Sequence, residues 1–264
     1  MRPAEVPAAA GFVVELSEAD QVATFTLNRP AKRNVQNPLT WEWLTRTVNA
    51  LPGTVRVLVV RGEGPSFSAG LDRAMFTPQG IEGIPSVLDL AQADHDEASA
   101  EIAGYQEGLA VFARPGLVSV ALVQGHAVGA GFQLSLACDV RIAAEDAQFS
   151  MAEVNLGLVP DLGGTKRLLE LVGYSRAAEI CLTGRRVDAA EALRIGLVST
   201  VVNAAELAAA GERFVSRILK QPAAAVTEIK ALLLAASGRS QAEQERAERE
   251  AQHRVLRTLV GLDE

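Results

Sequence analysis

The sequence predicts an α/β protein, and three observations carry that prediction. Short β-branched runs such as VRVLVVRG (55–62) and GLVSVALVQG (116–125) alternate with segments whose apolar residues recur at helical spacing. Glycine and proline punctuate those segments where helices stop and start. Past residue 202 the strand-like runs cease and every segment reads as helix.

Taken in order, FVVELSE (12–18) and QVATFTLN (21–28) read as paired strands around a polar turn at Glu18–Asp20, behind a loose N-terminal lead-in. Asn37-Pro38 opens a helix as N-cap and first-turn proline, with Leu39, Trp43, Leu44 and Val48 as its apolar positions. Residues 55–62 form a buried strand and EGPSFSAGLD (63–72) a small-residue turn. The polar, acidic segment to about Gln106 reads as irregular, or as short helices over a pocket. GLVSVALVQG is the next strand and leads through GHAVGAG into an apolar helix. DVRIAA (139–144) and AQFSM (147–151) are short strands and VNLGLVPDLGG (154–164) a loop. TKRLLELVG, SRAAEICLTG and DAAEALRIG are short helices, each closed by glycine. LVSTVV (197–202) is the last strand, before helices at 203–219, 222–236 and 240–258. Val226, Ile229, Leu232 and Leu233 make a stripe that, taken alone, reads as core.

The bulk properties bound the function. A chain of 264 residues can bury a sizeable core, and 48% apolar with 22% charged residues is a globular composition. The net charge of −7 argues against a nucleic-acid surface. No apolar run is long enough to span a bilayer, and MRPAEVPAAAGF lacks the apolar centre of a signal peptide. Cys138 and Cys181 read as buried free thiols, which fits a reducing, cytoplasmic compartment.

Familiar cofactor motifs are missing. His95, His126 and His253 do not pair at ligand spacing, and Asp94-His95-Asp96 reads as a solvated face, so no metal is expected. Gly125, Gly129 and Gly131 do not match a dinucleotide fingerprint, and neither a phosphate-binding loop nor a Gly-x-Ser-x-Gly elbow occurs. Two small-residue turns remain, Ser68–Asp72 and Gly129–Gly131. The second opens a helix, whose first N–H groups lack internal partners. Facing one another, such turns can hold an oxygen that gains negative charge; read singly, each is a device for close packing. Glu153, in an apolar setting, is either a desolvated acid/base or a salt-bridged surface residue. Asp161, before Gly163-Gly164-Thr165, is either a second carboxylate or a helix cap.

With these pieces in order, the sequence resembles the crotonase (enoyl-CoA hydratase/isomerase) superfamily. The matching segments are NRPAKRN, FSAGLD, GHAVGAGFQLSLACDVRIA, FSMAEVNLGLVPDLGGTKRL and TGRRVDAAEALRIGLVSTVV. The resemblance implies a spiral of ββα units over residues 1–202, holding the CoA and active site, with a helical oligomerisation region over 203–264 that builds trimers or paired trimers. It implies an acyl-CoA thioester substrate, whose carbonyl oxygen meets the backbone N–H groups of Leu71 and Ala130. Ala130 stands where the family usually has glycine, which the hole tolerates if its φ stays negative. Ala69, Gly70, Asp72 and Gly129 fall along the CoA and thioester path. Lys32 and Arg33 lie near where basic side chains meet CoA phosphates; a solvated loop is the other reading of that pair. Coenzyme A arrives with the substrate, so no separate cofactor is implied.

The departures bear on mechanism. Hydratases of the family carry two glutamates: Glu153 matches the second, whereas the first falls on Gln133, which exchanges no proton but can orient water or a substrate. Isomerases of the family use one glutamate at the Glu153 position, and dienoyl-CoA isomerases add a carboxylate where Asp161 stands. Isomerase-type proton transfer therefore fits better than hydration; a non-catalytic acyl-CoA binder is the reading from another class. Family members usually continue one helix beyond LVGLDE, with consequences for pocket closure.

Overall fold

The computed structural model describes residues 6–17 and 19–262. The first two strands, β1 (Phe12–Leu16) and β2 (Val22–Leu27), form the expected antiparallel hairpin, Phe12 opposite Leu27. Of its turn, Glu18 lies outside the described residues, and Asp20 takes φ +49°. The lead-in is less loose than its composition suggests. Ala8–Ala10 make one 3₁₀ turn, Ala10 is fully buried, and Thr40 Oγ1 donates to its carbonyl at 2.7 Å.

Helix α1 (Pro38–Asn49) starts as predicted. Asn37 Oδ1 accepts from the Thr40 N–H and Thr40 Oγ1 accepts from the Asn37 N–H, a reciprocal cap that satisfies two orphan donors. The tryptophan it buries is Trp41 rather than Trp43. Strand β3 (Val57–Gly62) pairs parallel with β2. The segment read as irregular contains helices α2 (Val87–Gln92) and α3 (His95–Ala110), the latter much longer than expected. It packs against α1 at Gly108, where an added Cβ would lie 2.6 Å from Trp41. Asp94 spends its carboxylate on the α3 cap, accepting from the Glu97 N–H at 2.9 Å.

The next two repeats show the ββα unit. Strand β4 (Val118–Val123) enters the main sheet, β5 (His126–Val128) leaves it, and α4 (Ala130–Ala137) follows. Then β6 (Val140–Ala144) enters, β7 (Gln148–Ser150) leaves, and α5 (Gly164–Val172) and α6 (Tyr174–Thr183) follow. Strand β8 (Val187–Asp188), α7 (Ala189–Arg194) and β9 (Thr200–Val202) complete the spiral. The large sheet runs β1-β2-β3-β4-β6-β9, parallel from β2 onward; the small sheet is β5-β7-β8. Strand β4 is buried along its whole length, which explains its apolar run; its one polar residue, Ser119, is bonded to Asp139.

Helix α8 (Leu207–Leu219) seats Leu207 and Ala210 on the outer sheet face against Val59, Val120, Leu122 and Ile142. Helices α9 (Ala223–Ala235) and α10 (Gln241–Leu259) follow, joined by a bidentate Arg254–Glu228 pair. The stripe on α9 corrects the sequence reading: Ile229 and Leu233 are 57% and 72% exposed, and the buried residue is Lys230. Its ammonium donates to Asp139 Oδ2 and the Phe112 carbonyl, both at 2.7 Å, and to the Leu117 carbonyl at 2.5 Å. Full satisfaction is what makes a buried lysine tolerable. Of the two free cysteines, Cys138 is buried, whereas Cys181 is only half-buried. Among the described residues, no helix is long and apolar enough to cross a membrane.

Candidate active site

Both small-residue turns converge on one place because the 66–70 segment runs alongside β5. The Ser68 N–H donates to the His126 carbonyl at 2.8 Å and the Val128 N–H donates to the Ser68 carbonyl at 3.0 Å. The approach is close enough to require glycine. A Cβ on Gly70 (φ +87°) would lie 2.5 Å from the Val128 carbonyl oxygen, and one on Gly131 would lie 2.6 Å from that of Ser68. Close packing, the bland reading of these glycines, is thus real, and its effect is to set the turns side by side.

That juxtaposition leaves two N–H groups free. The neighbours of Leu71 are engaged: the Gly70 N–H donates to Ser68 Oγ at 3.2 Å and the Asp72 N–H to the Gln36 carbonyl at 2.7 Å. Among the described residues the Leu71 N–H finds no acceptor, nor does that of Ala130, the first residue of α4. Among the described residues the only non-glycine positions with positive φ are Asp20, Arg33 and Asn34, so Ala130 meets the condition on its backbone. The end of a two-turn helix adds its positive dipole there.

Glu153 arrives from the far side. Strand β7 ends at Ser150, whose carbonyl accepts from the Gly129 N–H at 2.9 Å, and Met151 is buried. A 3₁₀ turn over Ala152–Leu156 then presents the carboxylate to Gly129; an added Cβ there would lie 3.4 Å from Glu153 Oε1. The surface-salt-bridge reading of Glu153 fails, since it is part-buried and no cation among the described residues pairs with it. Burial pushes its carboxyl above the usual range and the charge of Asp161 adds to this, while a hydrogen bond from its own backbone and one from Gln133 oppose. Glu153 Oε2 is buried and unpartnered.

Gln133 lies in α4, 1% exposed, with both ends of its amide committed. Its Nε2 donates to Glu153 Oε1 at 2.7 Å; its Oε1 accepts from the N–H groups of Leu162 and Gly164 at 3.0 and 3.2 Å. The two backbone donors fix which end is oxygen, because a flipped amide would set N–H against N–H. Those same bonds dispose of Asp161 as a helix cap: α5 has Gly163 at its N-cap and borrows its acceptor from Gln133. The Asp161 carboxyl is also pushed up by burial, opposed by its own backbone N–H.

The expected CoA contacts divide. Ala69 is half-buried and its N–H donates to the Arg33 carbonyl at 2.8 Å. Lys32 and Arg33 are exposed, with Lys32 Nζ 3.6 Å from Asp72 Oδ2. Asp72 also caps the following 3₁₀ turn through the Ala74 N–H. Sequence reasoning missed Gln36, Trp41 and the hydroxyl of Ser68, which form a buried network beneath the first turn. Their only sequence signal is that polar side chains recur between Asn34 and Thr40, in a stretch the structure buries.

Comparison with known proteins gives the family. The family model described as enoyl-CoA hydratase/isomerase matches residues 17–259. A short-chain-enoyl-CoA hydratase of Clostridium acetobutylicum is 34% identical over 221 residues, covering 81% of this chain and 77% of its own. The 2,3-dehydroadipyl-CoA hydratase of Escherichia coli is 36% identical over 188 residues, covering 70% and 68%. The crystal structure of a Thermobifida fusca protein assigned as an enoyl-CoA hydratase superposes with a TM-score of 0.91 at 45% identity, covering 97% of this chain and 96% of that one. Crystal structures of a Thermobifida fusca protein of the same description contain CoA and acetoacetyl-CoA, each at 46% identity and a TM-score of 0.90. The chain therefore belongs to the enoyl-CoA hydratase/isomerase family, within the crotonase superfamily, and is an enzyme of that family.

Proposed function

We propose that this enzyme acts on an acyl-CoA thioester through its enolate, and that the reaction is an isomerase-type proton transfer with Glu153 as the base. In this reading Glu153 Oε2 takes a proton from C2 of a 3-enoyl thioester. The electron pair delocalises onto the thioester oxygen between the Leu71 and Ala130 N–H groups, and the proton returns at C4 as the double bond moves to C2–C3. Asp161 is the second carboxylate, relaying a proton where the substrate needs one. Lys32, Arg33, Ala69, Gly70, Asp72 and Gly129 line the CoA and thioester path, and coenzyme A enters with the substrate.

The observation that carries the isomerase assignment is the saturation of the Gln133 amide oxygen. A hydratase needs a second acceptor free to hold the attacking water, and both lone pairs of this oxygen are spent on the N–H groups of Leu162 and Gly164. One carboxylate oxygen is left for chemistry, which suits moving one proton back and forth. Hydration is the second reading, supported by the hydratase names of both relatives.

Residues 1–202 serve this reading as the spiral core and 203–264 as the oligomerisation region, with α8 also covering the sheet. Exposed Ile229, Leu233, Leu256 and Leu259 on α9 and α10 support a homotrimer or a dimer of trimers. A cytoplasmic location accords with the two free cysteines.

The test is mass spectrometry of 2-enoyl- and 3-enoyl-CoA incubated with the enzyme in heavy water. Bond migration with deuterium at C2 or C4 and no added water is expected. Gain of a whole water establishes hydration instead; binding of the thioesters without exchange points to a non-catalytic binder.

A further inference from the structure

We propose that Gln36 is a positioning residue for the oxyanion hole, holding the Leu71 N–H in place through a buried side-chain network; this rests on the enolate reading above. Gln36 is fully buried and grips the turn twice. Its backbone brackets Leu71: its N–H donates to the Gly70 carbonyl at 2.8 Å and its carbonyl accepts from the Asp72 N–H at 2.7 Å. Its side chain reaches the same turn from below. Nε2 donates to Ser68 Oγ at 3.0 Å, and Oε1 accepts from Trp41 Nε1 at 2.9 Å.

The direction of every bond in this network is determined. An indole nitrogen can only donate, so the amide oxygen faces Trp41 and the amide nitrogen faces Ser68. Ser68 Oγ gives its proton to the Asn34 carbonyl at 2.7 Å and is left to accept from Gln36 and from the Gly70 N–H. A chain of bonds aligned head to tail strengthens each member. Its effect is directional: the Gly70 N–H is drawn inward to Ser68 and the Asp72 N–H to Gln36, so the N–H between them has no partner of its own. Ser68 also joins the second turn through its backbone bonds to His126 and Val128. A change at Gln36 is therefore felt at the separation of the two donors.

The assay is the ultraviolet absorbance of acetoacetyl-CoA, whose enolate absorbs where the keto form does not. The bound enolate fraction reads the hole directly, whatever the natural acyl group. Wild-type enzyme is expected to raise that fraction above its value in solution at the same pH. Gln36→Leu keeps the volume, removes both amide atoms, and is expected to lower the bound enolate equilibrium constant about tenfold. That is less than the loss of an entire donor. Affinity for CoA itself, by calorimetry, is expected to stay within about twofold of wild type, a tolerance of roughly 0.4 kcal/mol. Trp41→Phe, which removes only the anchoring indole donor, is expected to give a smaller loss in the same direction, and it serves as the test if Gln36→Leu does not fold. A folded Gln36→Leu with wild-type enolate fraction overturns the positioning role, as does an unchanged fraction in Trp41→Phe where that variant is the test. Equal loss of enolate and of CoA affinity also overturns it, since that pattern means general disruption. Wild-type enzyme that fails to raise the enolate fraction overturns the oxyanion reading itself, a distinct result.

Discussion

The two sides of the site are built differently. On the donor side the proposed reactive groups are backbone N–H groups, their neighbours are hydrogen-bonded, and the spacing is set at glycines where an added Cβ would come within 3 Å of the facing turn. On the proton side the proposed reactive groups are the side chains of Glu153 and Asp161, both desolvated, with Glu153 Oε2 left unpaired. Charge that only develops during reaction is met by fixed dipoles, which need no reorganisation. A proton that must be taken and returned is met by a carboxyl that burial pushes above the ordinary range. The donor side is thus sensitive to shape, and the proton side to charge.

Substitutions can break that contrast. The largest effect is expected from Glu153→Gln, which keeps shape and removes the proton acceptor. Turnover should fall by about 10³-fold or more, with CoA affinity by calorimetry unchanged. On the donor side Gly70→Ala removes no functional group, yet its methyl meets the Val128 carbonyl and an unfavourable φ. A loss of roughly 10²-fold in kcat is expected from displacing one donor; near-wild-type turnover in this variant would show that the turn spacing is not set there. Asp161→Asn should cost less, about tenfold, if the second carboxylate assists rather than initiates. An isotope exchange assay that separates loss at C2 from gain at C4 locates the affected step.

The smallest effect sharpens the contrast through pH. A base works deprotonated, so kcat/KM should rise with pH as Glu153 ionises, with its acidic limb above the ordinary glutamate range. Gln133→Leu removes a hydrogen bond that favours the ionised form, so the limb should move to still higher pH. A limb that stays in place would show that Gln133 does not tune Glu153. The same variant also frees the Leu162 and Gly164 N–H groups, so its folding should be checked by thermal denaturation.

What the sequence made legible follows from how locally each feature is encoded. The β1–β2 hairpin, the Asn37 cap and the glycines closing α5, α6 and α7 depend on neighbours within a few residues, and they were readable. Strand β3 was readable as a buried strand from its β-branched run. The choice between Trp41 and Trp43 was not readable, because the face that α1 buries is decided by α3 at Gly108, more than sixty positions away. The exposed stripe on α9 was misread for a similar reason: Lys230 is drawn inward by three acceptors from distant segments, which turns Ile229 and Leu233 outward. In the site, Glu153 stood out by its apolar surroundings. The bonds that tie Gln133 to Glu153 and Leu162, and Gln36 to Ser68, span 20 to 32 residues and leave no periodic trace.

The Lys230 clamp also has a consequence for the order in which the molecule assembles. A chain is synthesised from its N-terminus, and the acceptors at Phe112, Leu117 and Asp139 emerge 91 to 118 positions ahead of the lysine that satisfies them. Until α9 is made, a carboxylate and two carbonyls at the base of β4 and β6 lack the ammonium that bonds them in the folded chain. The clamp therefore ties the C-terminal helices to the base of the sheet and makes the completed core depend on a segment synthesised after it.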